Sequence, residues 1–198
     1  MAEVRYVCCP LTGDRLFSPD LHPHETVESG LAYRVRGCMK AGLANIALEG
    51  CALPTDGDTL PAQSIDVVRW AGLRHMPLAR SEFMKRWQRY IAALVDHLEQ
   101  QTAGDADAVV RFQQRTHEFI RSLLCNFEEL DVLVGSSEHP DGPIGVLHYL
   151  DSDPLTPQIY FLLAGCTPAA APATQTDRSS ARRTLGPLDS ALGLESIR

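Results

Sequence analysis

The chain has 198 residues, a formal charge of −7 and an apolar fraction of 44%. That is enough apolar material for one domain with a sizeable core, and a net acidic chain is a poor match for nucleic acid, whose phosphates call for a concentrated basic surface. No apolar run approaches the roughly 20 residues of a membrane-spanning helix, and no apolar signal segment follows Met1 to Arg5. The expectation is a cytoplasmic protein with no membrane span.

In chain order, Val4 to Val7, Ala32 to Val35 with Gly37 ending it, and Ile65 to Trp70 read as short strands parted by turn residues such as Ser29-Gly30. Residues 40–63 are rich in Gly, Ala, Pro, Thr and Asp and lack periodicity, which predicts an exposed mobile loop. A helix follows, with Phe83, Trp87, Ile91, Leu94 and Leu98 on one side, Lys85, Arg86, Arg89, Asp96 and Glu99 on the other, and Ser81 as its N-cap. Val109, Phe112, Thr116, Phe119, Leu123 and Phe127 repeat that spacing, and Thr102 to Asp105 is short enough to make the two helices an antiparallel hairpin over 81–127.

Both apolar stripes need a cover. Val132 to Val134 and Ile144 to Val146 with Tyr149 read as strands joined by the Pro140-Asp141-Gly142 turn, where Pro presets its backbone angle, Asp caps locally and Gly accepts positive φ. A further strand, Gln158 to Leu163, follows the breakers Pro154 and Pro157. Helices followed by sheet make the fold class α+β. The tail over 167–198, with its Pro, Ala, Ser and Thr and then Arg178-Ser-Ser-Ala-Arg-Arg, cannot bury a core and reads as disordered, with a weak helix over Leu188 to Leu194. It is either a localisation or phosphorylation segment or an unconstrained extension.

No nucleophile motif, phosphate loop or HExxH pair is present, so no catalysis is expected. Cys8, Cys9, Cys38, Cys51, Cys125 and Cys166 form no CxxC pair and read as reduced thiols in a cytosolic compartment. His22-Pro-His24 reads as a solvated loop. Charge is uneven: Arg74 to Arg121 carries +2, the segment after Cys166 +1 and the remainder −10. The hairpin is thus mildly basic on an acidic body, and Arg74, Arg80, Lys85, Arg86, Arg89, Arg111 and Arg115 either meet an acidic partner or merely solvate the helices. Glu138, Asp141, Asp151 and Asp153 offer oxygens to a weak calcium site, yet no DxDxDG loop preorganises them; solvated acids at strand ends are the alternative.

The run Asn126-Phe127, Gly135, Pro140-Asp141-Gly142, Tyr149, Thr156-Pro157 and Phe161 resembles the carboxy-terminal signature of the translationally controlled tumour protein (TCTP) family. Phe17-Ser18 with Asp20, Gly37, Met39, Asn45-Ile46, Ile65 to Val68, Phe83 and Tyr90-Ile91 agree in order and spacing, so the resemblance spans about residues 4–166. It implies a TCTP-like domain over 1–166 built as a curved, mostly antiparallel β-sheet, or β-tent, with a projecting α-helical hairpin and a mobile loop. It also implies a non-enzymatic cytosolic protein that binds calcium and microtubules, supports growth or survival, and partners a Ras-type small GTPase.

Under that resemblance Lys85, Arg86, Arg89, Arg111 and Arg115 become the tubulin-facing cations. The family carries an acid at two GTPase-facing positions that here hold Arg15 and Ser136, which predicts a divergent member with weakened or altered GTPase recognition. Leu48 to Pro54 departs from the family's loop motif. A functionally decayed paralogue, whose sheet and hairpin persist because folding requires them, is the remaining alternative.

Overall fold

The computed structural model describes residues 5–39, 65–101 and 105–170. The predicted loop over 40–63, with Cys51 and the Leu48 to Pro54 departure, lies outside the described residues, as do residues 102–104 of the helix connection and 171–198 of the tail. The elements are β1 (Arg5–Cys8), β2 (Arg15–Phe17), β3 (His24–Val27), β4 (Ala32–Arg36), α1 (Asp66–Ala71), β5 (Arg74–His75), α2 (Arg80–Gln101), α3 (Ala106–Cys125), β6 (Leu130–Val134), β7 (Ile144–Leu150), β8 (Asp153–Leu162) and β9 (Thr167–Ala170).

The strands form two antiparallel sheets, a six-stranded one in the order β3-β4-β8-β7-β6-β5 and a three-stranded one in the order β2-β1-β9. The larger sheet is buried on both faces, which is why its central strands read as nearly continuous apolar runs. Leu133, Leu147, Ile159 and Phe161 point to a cluster completed by Phe17, Val35, Ile65 and Val67. Their neighbours Val132, Val146 and Leu162, together with Ile144, point the other way, onto Phe83, Trp87, Tyr90, Leu94, Phe119 and Ile120 of the hairpin. The period-two alternation of a strand thus serves two cores at once.

The hairpin is therefore seated on the sheet as much as it projects from it, because Phe83, Trp87, Tyr90 and Leu94 each lose nearly all their exposure there. Helix α2 begins one residue before Ser81, which lies inside its first turn. At α3 the cap is Asp105, whose side chain accepts from the Ala108 amide at 3.0 Å.

The amino-terminal half departs most from expectation. Ile65 to Trp70 is not a strand: after an isolated bridge from Ile65 to Met39, residues 66–71 form a helix. Val67, Val68 and Ala71 share its buried face, Asp66 accepts from the amides of Val67 and Cys38, both at 2.8 Å, and Gly72 ends it at φ 72°. For six residues, β-branched propensity yields to local hydrogen bonding and a glycine stop. Strands β2, β3, β5 and β9 are too short for a periodic signal and exist through their partners. Strand β9 pairs with β1, so residues 167–170 belong to the folded body rather than to the tail.

Strand β8 starts at Asp153, ahead of the expected breakers. Pro157 still accepts from the Gly37 amide at 2.8 Å through its carbonyl, so proline costs this strand only its own missing donor. In the 139–142 turn the Gly142 amide donates to the His139 carbonyl at 2.9 Å. The left-handed residue there is Glu138, at φ 53°, rather than Gly142, where a Cβ would stand 2.9 Å from the His139 carbonyl oxygen. In His22-Pro-His24, read as a solvated loop, His22 is instead buried, with its Nδ1 accepting from the Ser18 amide at 3.0 Å, while Pro23 and His24 are exposed.

Candidate functional site

Side chains more than 120 residues apart in sequence converge on Asp14. The Thr12-Gly13-Asp14 turn is closed by the Gly13 amide on the Cys9 carbonyl and the Cys9 amide on the Asp14 carbonyl, both at 2.8 Å, with Gly13 at φ 75°. This aims the Asp14 carboxylate, only 6% exposed, at the end of β6. Its Oδ1 accepts from the Ser136 hydroxyl at 2.8 Å and the Ser137 amide at 2.9 Å, and its Oδ2 from the hydroxyls of Ser137 at 2.6 Å and Thr12 at 2.7 Å.

Burial pushes the Asp14 carboxyl up, but the donors of Ser137, Thr12 and Ser136 outweigh it and hold the group below its ordinary value. Gly135 is required by closeness: a Cβ there would sit 2.6 Å from the Asp14 Cγ. Asp14 is thus a buried anion that locks the start of the 135–142 loop onto the β1–β2 turn.

Arg15, the next residue, faces outward. Its guanidinium lies 5.4 Å from the Tyr6 ring centroid and 5.9 Å from that of Trp70, on α1. Two aromatic faces hold the charge in place while leaving the residue exposed. A cleft of about 500 Å³ is lined in part by Arg69, Arg74, His75 and Glu138, and Arg74 pairs with Glu138 at 3.1 Å. Arg15 and Ser136, singled out separately in the sequence, are therefore neighbours through Asp14. The sequence reading missed Asp14, Tyr6, Trp70 and Ser137; Thr12-Gly13-Asp14 immediately before Arg15 was the one local signal, a turn whose acid has no basic neighbour in sequence except Arg15 itself.

The hairpin cations divide. Arg86 is half-buried and donates to the carbonyls of His139 at 2.7 Å and Glu138 at 3.3 Å; burial and then neighbouring Arg89 lower its pKa. Arg89 pairs with Asp141 at 2.9 Å. These two tie the 135–142 loop to α2; half-buried Arg86 is taken up by its carbonyl partners, while Arg89 stays exposed. Arg115 donates to the Glu28 carbonyl across the β3–β4 turn, where Glu28 and Ser29 hold φ of 50° and 51°. Lys85 and Arg111 remain exposed, Arg111 only loosely held to Asp105 at 3.9 Å.

The four candidate calcium ligands do not converge. Glu138 and Asp141 stand at the start of β7, engaged by Arg74 and Arg89, whereas Asp151 and Asp153 stand at its far end. Seven residues of strand separate the pairs by roughly 20 Å. Among the described residues no group of three or more His, Cys, Asp or Glu side chains is placed to hold a metal ion, and no helix is long and apolar enough to cross a membrane.

Compared with known proteins, residues 7–167 match the family model described as translationally controlled tumour protein. The homologue from Lumbricus rubellus is 26% identical over 160 residues, 77% of this chain and 91% of that protein. The Mus musculus protein is 25% identical over 164 residues, 78% of this chain and 92% of its own length. Among solved structures, the translationally controlled tumour-associated protein p23fyp from Schizosaccharomyces pombe superposes with a TM-score of 0.61 at 20% identity, covering 83% of this chain and 98% of that one, a likeness of fold.

Proposed function

Because this chain belongs to the translationally controlled tumour protein family, we propose that it is a non-enzymatic cytoplasmic binding protein. It docks a Ras-type small GTPase through the face carrying Arg15, Trp70 and Ser136, with an altered charge requirement. The observation that carries this reading is the fixed, exposed guanidinium of Arg15 beside a loop locked by Asp14. A preorganised charge contributes to recognition because little side-chain freedom is lost on binding. With Arg in place of an acid, the favoured partner presents a carboxylate at that point, and a partner presenting a basic patch is repelled.

The test is release of a fluorescent guanine nucleotide from a Ras-type GTPase, with titrations of the unmodified chain and of Arg15→Glu. Reversing the charge should change the apparent affinity by about tenfold or more, as a contact worth at least about 1.4 kcal/mol requires. Identical affinities for the two proteins would refute this face as the docking surface. Ser136→Glu is a poor companion test, since it sets a second carboxylate against buried Asp14 and unlocks the loop.

A second reading, tubulin binding, is supported by the exposure of Lys85 and Arg111. Lys85→Glu with Arg111→Glu should weaken co-sedimentation with microtubules at low salt, and unchanged sedimentation would reject it.

A further inference from the structure

Strands β1 and β9 pair antiparallel with Arg5 opposite Ala170, Tyr6 opposite Ala169, Val7 opposite Pro168 and Cys8 opposite Thr167. One more step in that register sets Cys9 opposite Cys166. Opposed residues of an antiparallel pair point to the same face with Cα atoms about 4.5–5.5 Å apart, within the span a disulfide bridges without backbone movement. Pro168 has no amide to give to Val7, so the Val7 position is a non-hydrogen-bonded pair; by alternation Cys9 and Cys166 are the next, the closer-spaced kind.

Burial agrees with this placement. Cys9 is fully buried, and Cys166 packs against the core cluster around Phe17 and Phe161. Cys8, by strand alternation, belongs to the other face, where its Sγ donates to the Thr167 carbonyl at 3.5 Å. Cys38 and Cys125 are exposed on other elements.

The two thiols are not equivalent. Burial raises both, and nearby Asp14 raises Cys9 a little further, but the amides of Leu11 and Thr12 face the Cys9 sulfur and favour its thiolate. Cys166 has only an acceptor beside it, the Leu162 carbonyl at 3.2 Å, and burial drives its thiol far above the ordinary range. Cys9 is thus the better nucleophile of the pair. Strand β9 is an edge strand of four residues, so it is the element whose fraying admits a reagent.

We propose that Cys9 and Cys166 form an oxidisable dithiol, a modification site that takes a small disulfide of the glutathione class as oxidant. The Cys9 thiolate attacks one sulfur of the oxidant, forming a mixed disulfide and expelling one thiolate. The Cys166 thiolate then attacks the Cys9 sulfur, expelling the second. Two protein thiols are oxidised to one S–S bond, the oxidant is reduced to two thiols, and the two protons leave on those thiols. The bond joins the residue after β1 to the residue before β9 and closes nearly the whole folded chain into a single loop.

The experiment incubates the full chain with oxidised glutathione, alkylates the remaining thiols in denaturant, digests without reduction and maps linked peptides by mass spectrometry, with thermal melts before and after. The expected result is a Cys9–Cys166 peptide pair lighter by two hydrogens, a melting temperature raised by roughly 5–10 °C, and reversal of both by dithiothreitol. Cys8→Ala should retain the link, while Cys9→Ala and Cys166→Ala should each lose it. Accumulation of glutathione adducts without the link, a link through Cys8 in place of Cys9, or a linked protein with an unchanged melting temperature would overturn the proposal. The mapping on the unmodified chain decides the matter even where a variant folds poorly.

Discussion

Replacing Asp14 by Ala removes one carboxylate that accepts four hydrogen bonds, from Thr12, Ser136 and twice from Ser137, at 2.6 to 2.9 Å. Bonds to a charged acceptor contribute about 1.5–3 kcal/mol each, but not additively. Ser136 and Ser137 are exposed residues, so their hydroxyls find water once the loop loosens. The expected loss is therefore about 2–4 kcal/mol, less than the simple sum. For a domain of this size that lowers the melting temperature by roughly 4–16 °C. Asp14→Asn keeps the shape and part of the accepting capacity and should lose about half as much.

The pH dependence carries the sign. The folded state holds this carboxyl below its ordinary value, so it stays ionised at pH values where the unfolded chain takes up a proton. Its contribution is full above about pH 4, the unfolded value, and is lost as pH falls through the folded one. Thermal melts from pH 7 down to pH 3 should show wild type and Asp14→Ala converging at the acid end. A melting-temperature difference under about 2 °C at pH 7, or one that stays constant through the acid range, would refute the claim that Asp14 locks this loop.

Three further outcomes are expected. Gly165→Ala places a methyl against the hydroxyl of fully buried Tyr90, with the ring Cζ at 3.1 Å; it should cost about 1–3 kcal/mol by chemical denaturation, partly recovered with Tyr90→Phe, and full additivity of the two changes would reject the contact. Arg86→Met removes the donor to the His139 and Glu138 carbonyls and should speed amide hydrogen exchange across 136–142 without altering β1 or β9, whereas unchanged loop protection would show that Arg86 does not clamp it. Calcium should not engage Glu138, Asp141, Asp151 and Asp153 as one site, so Asp151→Asn with Asp153→Asn should leave any calorimetric calcium signal arising at Glu138 and Asp141 unchanged; its loss would contradict the roughly 20 Å separation.

Long periodic segments and dense turn chemistry were legible in the chain. The spacing of Phe83, Trp87 and Leu94, and of Val109, Thr116 and Phe119, needed only the helical repeat to announce a hairpin with one buried stripe. The apolar runs of the 130s, 140s and 150s announced strands on the same grounds. What stayed illegible was whatever depended on a distant partner. Ile65, Val67 and Val68 carry strand propensity, yet residues 66–71 became a helix because the Asp66 bond to the Cys38 amide and Gly72 supplied its ends.

Charge shows the same division. Composition correctly made the hairpin basic, yet Arg86 and Arg89 engage a loop some fifty residues later: half-buried Arg86 takes carbonyl partners and exposed Arg89 a carboxylate, neither of which a local pattern specifies. Arg15 and Ser136 could be flagged one at a time from the sequence, but that the Ser136 hydroxyl is bonded to Asp14, the residue before Arg15, depends on the β1–β2 turn reaching the end of β6. The proposed dithiol of Cys9 and Cys166 rests likewise on the register of β1 against β9. Local periodicity determines which elements form and which face of each is apolar, because that information lies within a few residues; which polar groups meet is decided only when the two ends of the chain close into sheets and set their side chains against one another.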